Sequence, residues 1–262
     1  MKNETLLYTK DLAIGYSSNK TVQSVGSGIN LALQAGKLTA VVGGNGIGKS
    51  TLLRTLSGLQ QPLSGAVYLQ QQPLSAYAAA DAARLISIVL TERLPPGNLT
   101  VAELVALGRH PYTNWIGKLS AADYIKIDEA IERTQIRHLI DKKHYEISDG
   151  QLQKALIARA LAQDAPIIIL DEPTTHLDFE HKLQLFHLLH ALTRETGKCI
   201  LFSTHDIDLA IALCDDMIVM TAGKVVQHTS QQLIADDVFN TLFADPAISF
   251  NNEERKFTYK KP

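Results

Sequence analysis

The sequence predicts an α/β protein in which helices flank a mixed β-sheet, and three observations predict it. The apolar run Leu38–Val42 leads into Gly43-Gly44-Asn45-Gly46-Ile47-Gly48-Lys49-Ser50, a complete G-x-x-x-x-G-K-[ST] loop, with a helical stretch over 51–57 behind it. Ile167, Ile168, Ile169 and Leu170 form a wholly apolar run between Pro166 and Asp171, the pattern of a central parallel strand covered on both faces. Strand-like and helix-like periodicities alternate along the chain, which places helices on both sides of one sheet.

Taken in order, Leu6–Ile14 reads as a half-buried strand, as does the stretch in which Ile29, Leu31 and Leu33 alternate with Asn30, Ala32 and Gln34. Ser64-Gly65 marks a turn before a strand at Ala66–Leu69, and Leu85–Leu90 gives another strand. From Val101 to about Gln163 the spacing becomes helical, so a helical insertion interrupts the sheet. The sheet resumes at Ile167–Leu170, a helix follows over Lys182–Arg194, and Cys199–Ser203 is a strand. Ile207, Ala210, Ile211 and Cys214 mark a helix face, and Met217–Met220 and Lys224–Gln227 read as a closing hairpin around Ala222-Gly223. Residues 230–262 are more polar and read as a short helix plus an appended tail.

The 262 residues suffice for a substantial core, and the formal charge of −2 is nearly balanced. No basic run marks a nucleic-acid surface, so no nucleic acid is expected as a partner. Cys199 and Cys214 lie in apolar stretches without metal-type spacing, which fits buried reduced thiols. No apolar segment is long enough to cross a bilayer, and Met1–Thr5 lacks the regions of a signal peptide. Work at a membrane would require another chain as anchor.

The loop points to ATP or GTP. Its glycines let backbone N–H groups wrap a phosphate, Lys49 reaches the terminal phosphates, and the Ser50 hydroxyl can complete a Mg²⁺ shell. Asp171 and Glu172, at the end of the apolar strand, suit the opposite side of that shell and the orientation of an attacking water. Alone, such an acidic pair would equally be a strand end capping the next turn.

Asp178 in Thr174-Thr175-His176-Leu177-Asp178 and His205 in Ser203-Thr204-His205-Asp206 follow at fixed intervals. With these the chain resembles the ATP-binding subunit of an ABC transporter, from Tyr16 to about Gln227. The resemblance implies a P-loop NTPase mixed sheet with an antiparallel β subdomain and a helical subdomain at about 95–163. It implies one ATP-binding domain over 1–262, with a short extension from about 230 to 262. It further implies Mg²⁺-dependent ATP hydrolysis. Gly43, Asn45, Gly46, Gly48 and Thr51 then cradle the phosphates with Lys49, Glu172 is the catalytic carboxylate, and His205 contacts the γ-phosphate. Asp178 is carried over as a nucleotide-site residue, and Tyr16 matches the aromatic that stacks on adenine, although a half-buried tyrosine at a strand end has the same appearance.

In that family two copies meet head to tail, and Ser148, Gly150 and Gln151 of one cover the γ-phosphate held by the other. Two positions depart from the pattern. Asp149 stands where glycine is usual, with Lys154 or Arg159 as candidate partners for its charge, and Thr91 stands at the place of a metal-contacting glutamine. The run Gly108-Arg109-His110-Pro111 resembles importers of iron chelates, haem and cobalamin, which implies polytopic permease subunits as partners and a peripheral place on the cytoplasmic face of the inner (plasma) membrane. Arg109 and Pro111 equally suit a helix end without a partner. A nucleotide-dependent clamp on a macromolecular assembly is the alternative, disfavoured by the balanced charge and single ATPase domain. A small-molecule kinase leaves Ser148–Gln151 without a role.

Overall fold

A computed structural model of the protein describes residues 4–18, 21–90, 97–243, 245 and 247–259. The strands and helices run β1 (Thr5–Ser18), β2 (Thr21–Ile29), β3 (Ala32–Gln34), β4 (Leu38–Gly43), α1 (Lys49–Leu56), β5 (Ser64–Leu69), β6 (Gln72–Pro73), α2 (Ala79–Leu85) and β7 (Ile86–Val89). They continue with α3 (Val101–Ala106), α4 (Ala121–Arg133), α5 (Asp149–Ala162), β8 (Ile167–Leu170), α6 (Phe179–Thr196), β9 (Cys199–Ser203) and α7 (Ile207–Leu213). The last are β10 (Asp216–Thr221), β11 (Lys224–His228), α8 (Ser230–Ala235), β12 (Ile248–Asn251) and β13 (Lys256–Tyr259).

The main sheet has the order β11-β10-β4-β9-β8-β7, parallel throughout except for β11. Strands β4, β8 and β9 are buried along their whole length, so each side of the pleat faces a different core. Leu38, Ala40, Val42, Ile168, Leu170 and Phe202 meet the side that carries α5, α6 and α7, where Phe202 packs edge-on against Phe186 with ring centres 5.2 Å apart. Val41, Ile169, Leu201 and Ile218 meet Leu52, Leu53 and Leu56 of α1 and the inner face of a second, antiparallel sheet built from β1, β2, β3, β5 and β6.

Four sequence expectations are corrected. The expected strand over Ile29–Gln34 is broken: β2 ends at Ile29 and β3 begins at Ala32, both paired with β1. The buried Thr9 hydroxyl stabilises the break by donating to the Ile29 carbonyl at 2.8 Å and accepting from the Leu31 N–H at 2.9 Å. Ser64-Gly65 lies inside β5 instead of forming a turn before it. At φ +71°, a Cβ on Gly65 would stand 2.3 Å from the Asp11 carbonyl oxygen, so glycine serves close strand approach. Leu85 ends the alanine-rich helix α2 and is not a strand residue. The C-terminal stretch carries the expected short helix, α8, and also the β12–β13 hairpin, held by the rings of Phe239, Phe243, Phe250 and Phe257.

Helices α3, α4 and α5 begin alike. Thr100, Ser120 and Ser148 each accept from an N–H three residues on, while Glu103, Asp123 and Gln151 reach back to the cap N–H. The Gly108-Arg109 pair then locks these helices together. A Cβ at Gly108 would meet the Arg159 carbonyl oxygen at 2.1 Å, so only glycine allows this approach to α5. Arg109 is buried, donating to Asp123 Oδ1 at 2.8 Å and to the Ala162 carbonyl at 2.6 Å, with its guanidinium 4.0 Å from the centre of the Tyr112 ring.

Hydrogen bonds from the Ser120 hydroxyl and N–H, and then from Arg109, hold the Asp123 carboxyl down to about 2. Asp123→Ala leaves a buried guanidinium without its carboxylate, and urea unfolding at pH 7 should show a loss of about 3 kcal/mol. A folded pKa below the unfolded one means stability that is full above the ordinary aspartate range and lost as pH falls toward 2. The gap between wild type and variant should therefore be constant from pH 7 to 5 and narrow below pH about 4.

Candidate active site

Three parallel strands deliver the site. Val41 of β4 pairs with Ser203 of β9, and Leu170 of β8 pairs with Phe202 of β9. One residue further along β8 and β9 come Asp171 and Ser203, side by side at the C-terminal edge of the sheet where α/β proteins bind ligands. The phosphate-loop sequence leaves β4 at the same edge.

Loop geometry depends on two of its glycines. A Cβ on Gly43 would lie 2.6 Å from the Met220 carbonyl oxygen, and one on Gly48, at φ +108°, would lie 2.0 Å from Val25 Cγ1. Asn45 and Gly46 form the exposed crest, and helix α1 starts at Lys49 without a side-chain cap. Its first N–H groups are therefore directed at whatever the loop surrounds. The buried Lys49 amine donates to the carbonyls of Gly43 at 3.2 Å and Gly44 at 3.3 Å, and it stands 4.0 Å from Glu172 Oε1. Burial pulls its pKa down, and the Glu172 and Asp171 carboxylates oppose that pull.

Asp171 Oδ1 accepts from the hydroxyls of Ser50 at 3.1 Å and Ser203 at 2.7 Å, which joins α1, β8 and β9 through one carboxylate oxygen. Ser203 Oγ in turn accepts from the Glu172 N–H at 2.8 Å. That bond supports a left-handed backbone at Glu172, φ +47°, a conformation costly for a residue with a side chain. Glu172 Oε1 lies 2.9 Å from His205 Nε2, and Oε2 accepts from the Thr175 hydroxyl at 3.3 Å. Asp206 accepts from Thr174 at 2.9 Å and from Lys182 at 2.7 Å, fixing the segment after Glu172 to the segment that carries His205.

The structure thus gathers Lys49, Ser50, Asp171, Glu172 and His205 from three separate stretches of chain. Thr51 is buried just behind them, and its hydroxyl is 2.8 Å from that of Tyr16, whose ring is 55% exposed at the end of β1. Ser148, Gly150 and Gln151 are placed elsewhere. Ser148 caps α5 in a reciprocal pair with Gln151, and a Cβ on Gly150 would touch Leu177 and His181 at 3.5 Å. Asp178 caps α6 beside them, accepting from the His181 N–H at 2.9 Å and lying 2.7 Å from its Nδ1. Among the described residues no hydrogen bond or ion pair joins this group to the phosphate loop, and Asp149 forms no ion pair with Lys154 or Arg159. Thr91 lies outside the described residues.

Ser203 is a functional residue that the sequence alone does not single out. A small hydroxyl ending an apolar strand, directly before the Thr-His pair, was its only signal. Thr174, Lys182 and Asp206 have no sequence signal of their own, since their partnership exists only after the chain folds.

Similarity to known proteins extends over most of the chain. The model of the ABC transporter family matches residues 27–175. An uncharacterized ABC transporter ATP-binding protein of Methanocaldococcus jannaschii, MJ0873, is 38% identical over 91% of this chain and 81% of its own length. The ferric enterobactin transport ATP-binding protein FepC of Escherichia coli is 35% identical over 89% of this chain and 85% of its own. Among solved structures, the dimeric cassette MJ0796, a bacterial ABC transporter cassette, superposes with a TM-score of 0.73 at 26% identity, covering 86% of this chain and 99% of that one. Kinship of this extent sets aside the kinase reading. The chain belongs to the ABC transporter family, as an ATP-binding cassette that hydrolyses ATP to power transport.

Proposed function

We propose that the chain is the ATPase subunit of an importer for a metal chelate of the iron-siderophore, haem or cobalamin type. It acts as a head-to-tail homodimer on polytopic permease subunits, peripheral on the cytoplasmic face of the inner (plasma) membrane. The observation that carries the chemistry is the contact between Glu172 and His205, 2.9 Å apart beside the Lys49 amine. The kinship with the ferric enterobactin protein supports the chelate class. No helix among the described residues is long and apolar enough to cross a membrane.

The donor set fits Mg²⁺. Ser50 and Asp171 offer two hard oxygens on one spot, and among the described residues no cluster of three or more His, Cys, Asp or Glu competes for a softer metal. A magnesium ion that keeps its waters and takes further ligands from phosphates needs no more protein oxygens than these. When bound it would neutralise charge on the β- and γ-phosphates.

The protein's own residues account for the rest. The loop N–H groups and Lys49 bind and orient the triphosphate, exchanging the Gly43 and Gly44 carbonyls for phosphate oxygens. The Glu172 carboxylate is fixed at both oxygens, by His205 and Thr175, so that it can accept a hydrogen bond from water and orient it toward the γ-phosphate. With the triphosphate bound, His205 Nε2–H would turn from Glu172 Oε1 to that phosphate, leaving Oε1 to accept from the water while Thr175 still holds Oε2. Tyr16 offers its exposed ring to adenine. Ser148, Gly150 and Gln151, remote from the loop of their own chain, complete the site of the second copy, with Asp178 at the same face. Closure around ATP and reopening after hydrolysis would drive the permease subunits, because a ligand bound better by the closed form shifts the population toward it.

Glu172→Gln removes the carboxylate charge but keeps its shape. ATP turnover should fall by about 10²–10⁴-fold while ATP affinity is retained, and size-exclusion chromatography in Mg-ATP should show a stable dimer. Turnover undiminished in this variant would refute the role given to Glu172. Ser203→Ala removes the hydroxyl that orients Asp171 and supports the Glu172 backbone. Turnover titrated against Mg²⁺ should show a half-saturating concentration raised about tenfold, with ATP binding in the absence of metal unchanged. For the substrate class, co-purification of polytopic subunits from detergent extracts and uptake of labelled ferric siderophore, haem or cobalamin by the assembled transporter provide the direct assay.

A further inference from the structure

A groove of about 480 Å³ opens between α7 and the C-terminal hairpin, lined by Phe179, Leu209, Phe243, Phe257 and Tyr259 and also by His205. Three of these aromatic side chains face solvent: Phe179 is 70% exposed, Tyr259 75% and Phe243 37%. A contiguous apolar surface of this kind marks a contact site more often than a scattered exposed leucine does. The hairpin beneath it is not loosely attached. Phe250 packs on Phe239 and Phe257 with ring centres 4.8 and 5.0 Å apart, and the Phe250 N–H donates to Asn240 Oδ1 at 2.7 Å.

We infer that this groove is covered by a second copy of the chain, so that the C-terminal hairpin is part of the ATP-closed dimer contact. The inference rests on the head-to-tail arrangement proposed above and extends it beyond the reacting groups. Continuity of surface argues for it. His205, which lines the groove, touches Glu172, and Phe179 directly follows Asp178. Asp178 lies near Ser148 and Gly150, since a Cβ on Gly150 would stand 3.5 Å from Leu177 and from His181, the residue that Asp178 caps. A copy that brings its Ser148 face to this chain's γ-phosphate must approach the same side of the molecule. The groove prolongs that side with aromatic rings, the residue class that dominates well-packed interface centres. In a two-fold dimer each such contact occurs twice, so a modest loss per site is doubled in the dimer. The acidic rim, Asp206 and Asp208, needs no new cation for Asp206, which already accepts from Lys182 at 2.7 Å.

The test uses the full chain carrying Glu172→Gln, in Mg-ATP, with dimerisation followed by sedimentation velocity against protein concentration. Adding Tyr259→Ser should raise the midpoint concentration of the dimer about tenfold or more, with ATP affinity by calorimetry unchanged. Tyr259 is an exposed residue at the end of its strand, and a second variant, Tyr259→Phe, should restore the midpoint by keeping the ring. An unchanged midpoint for Tyr259→Ser, with the Glu172→Gln parent still dimerising, would overturn the inference alone and assign the groove to another partner. A parent that stays monomeric in Mg-ATP would overturn the head-to-tail reading, and the inference with it.

Discussion

One carboxylate oxygen organises this molecule. Asp171 Oδ1 accepts two hydroxyls, from Ser50 at the start of α1 and from Ser203 at the end of β9, and thereby fixes the relative height of three elements that share no local sequence. Its own N–H is taken by the Val89 carbonyl of β7, so a fourth element is set by the same residue. Such convergence demands that the strands be in register to within one residue, because a slip of one would turn each side chain to the opposite face. The buried runs on both faces of β4, β8 and β9 enforce that register. The apolar core is therefore the condition for the site's geometry and not merely a support beneath it.

The polar network stores strain where the chemistry needs it. Glu172 takes a left-handed backbone conformation that costs about 1–3 kcal/mol for a residue with a Cβ. The Ser203 hydroxyl on its N–H, and the Thr174–Asp206–Lys182 chain beyond it, hold the segment in place. The carboxylate is consequently turned toward His205 and Lys49. Lys49 is likewise kept close at hand by weak, long bonds to loop carbonyls, which phosphate oxygens can replace with shorter charge-assisted ones.

Most of this was legible in the sequence wherever the information is local. The G-x-x-x-x-G-K-S run, the strand Ile167–Leu170 with its two carboxylates, and the strand Cys199–Ser203 were each readable because spacing and apolarity there are dictated by immediate neighbours. What escaped depends on contacts far apart in the chain. The Thr9 bridge that breaks Ile29–Gln34 joins residues twenty apart, and Gly65 serves a close approach to Asp11 that no turn pattern predicts. The hairpin β12–β13 is held by phenylalanines whose partners span residues 239 to 257, so the polar composition of the region concealed it. The packing role of Gly108-Arg109, which joins α4 to α5, likewise has no local signal beyond the Gly-Arg-x-Pro run itself.

Asp149 shows how one residue can act oppositely on two states. In the lone subunit it is the first residue of α5, where a carboxylate near the helix N-terminus is worth about 0.3–1 kcal/mol. It has no ion pair among the described residues to neutralise it. In the proposed dimer that same helix end would face a triphosphate, and two like charges about 4 Å apart repel by roughly 1 kcal/mol in water and 4 near a protein surface. The second effect equals or exceeds the first. If the proposed dimer forms as described, aspartate at this place would thus stabilise the helix of the lone subunit and weaken the closed state, shifting the balance toward reopening. A closed form so loaded depends more on every contact outside the phosphate site, which is the role the aromatic surface around Tyr259 is suited to fill.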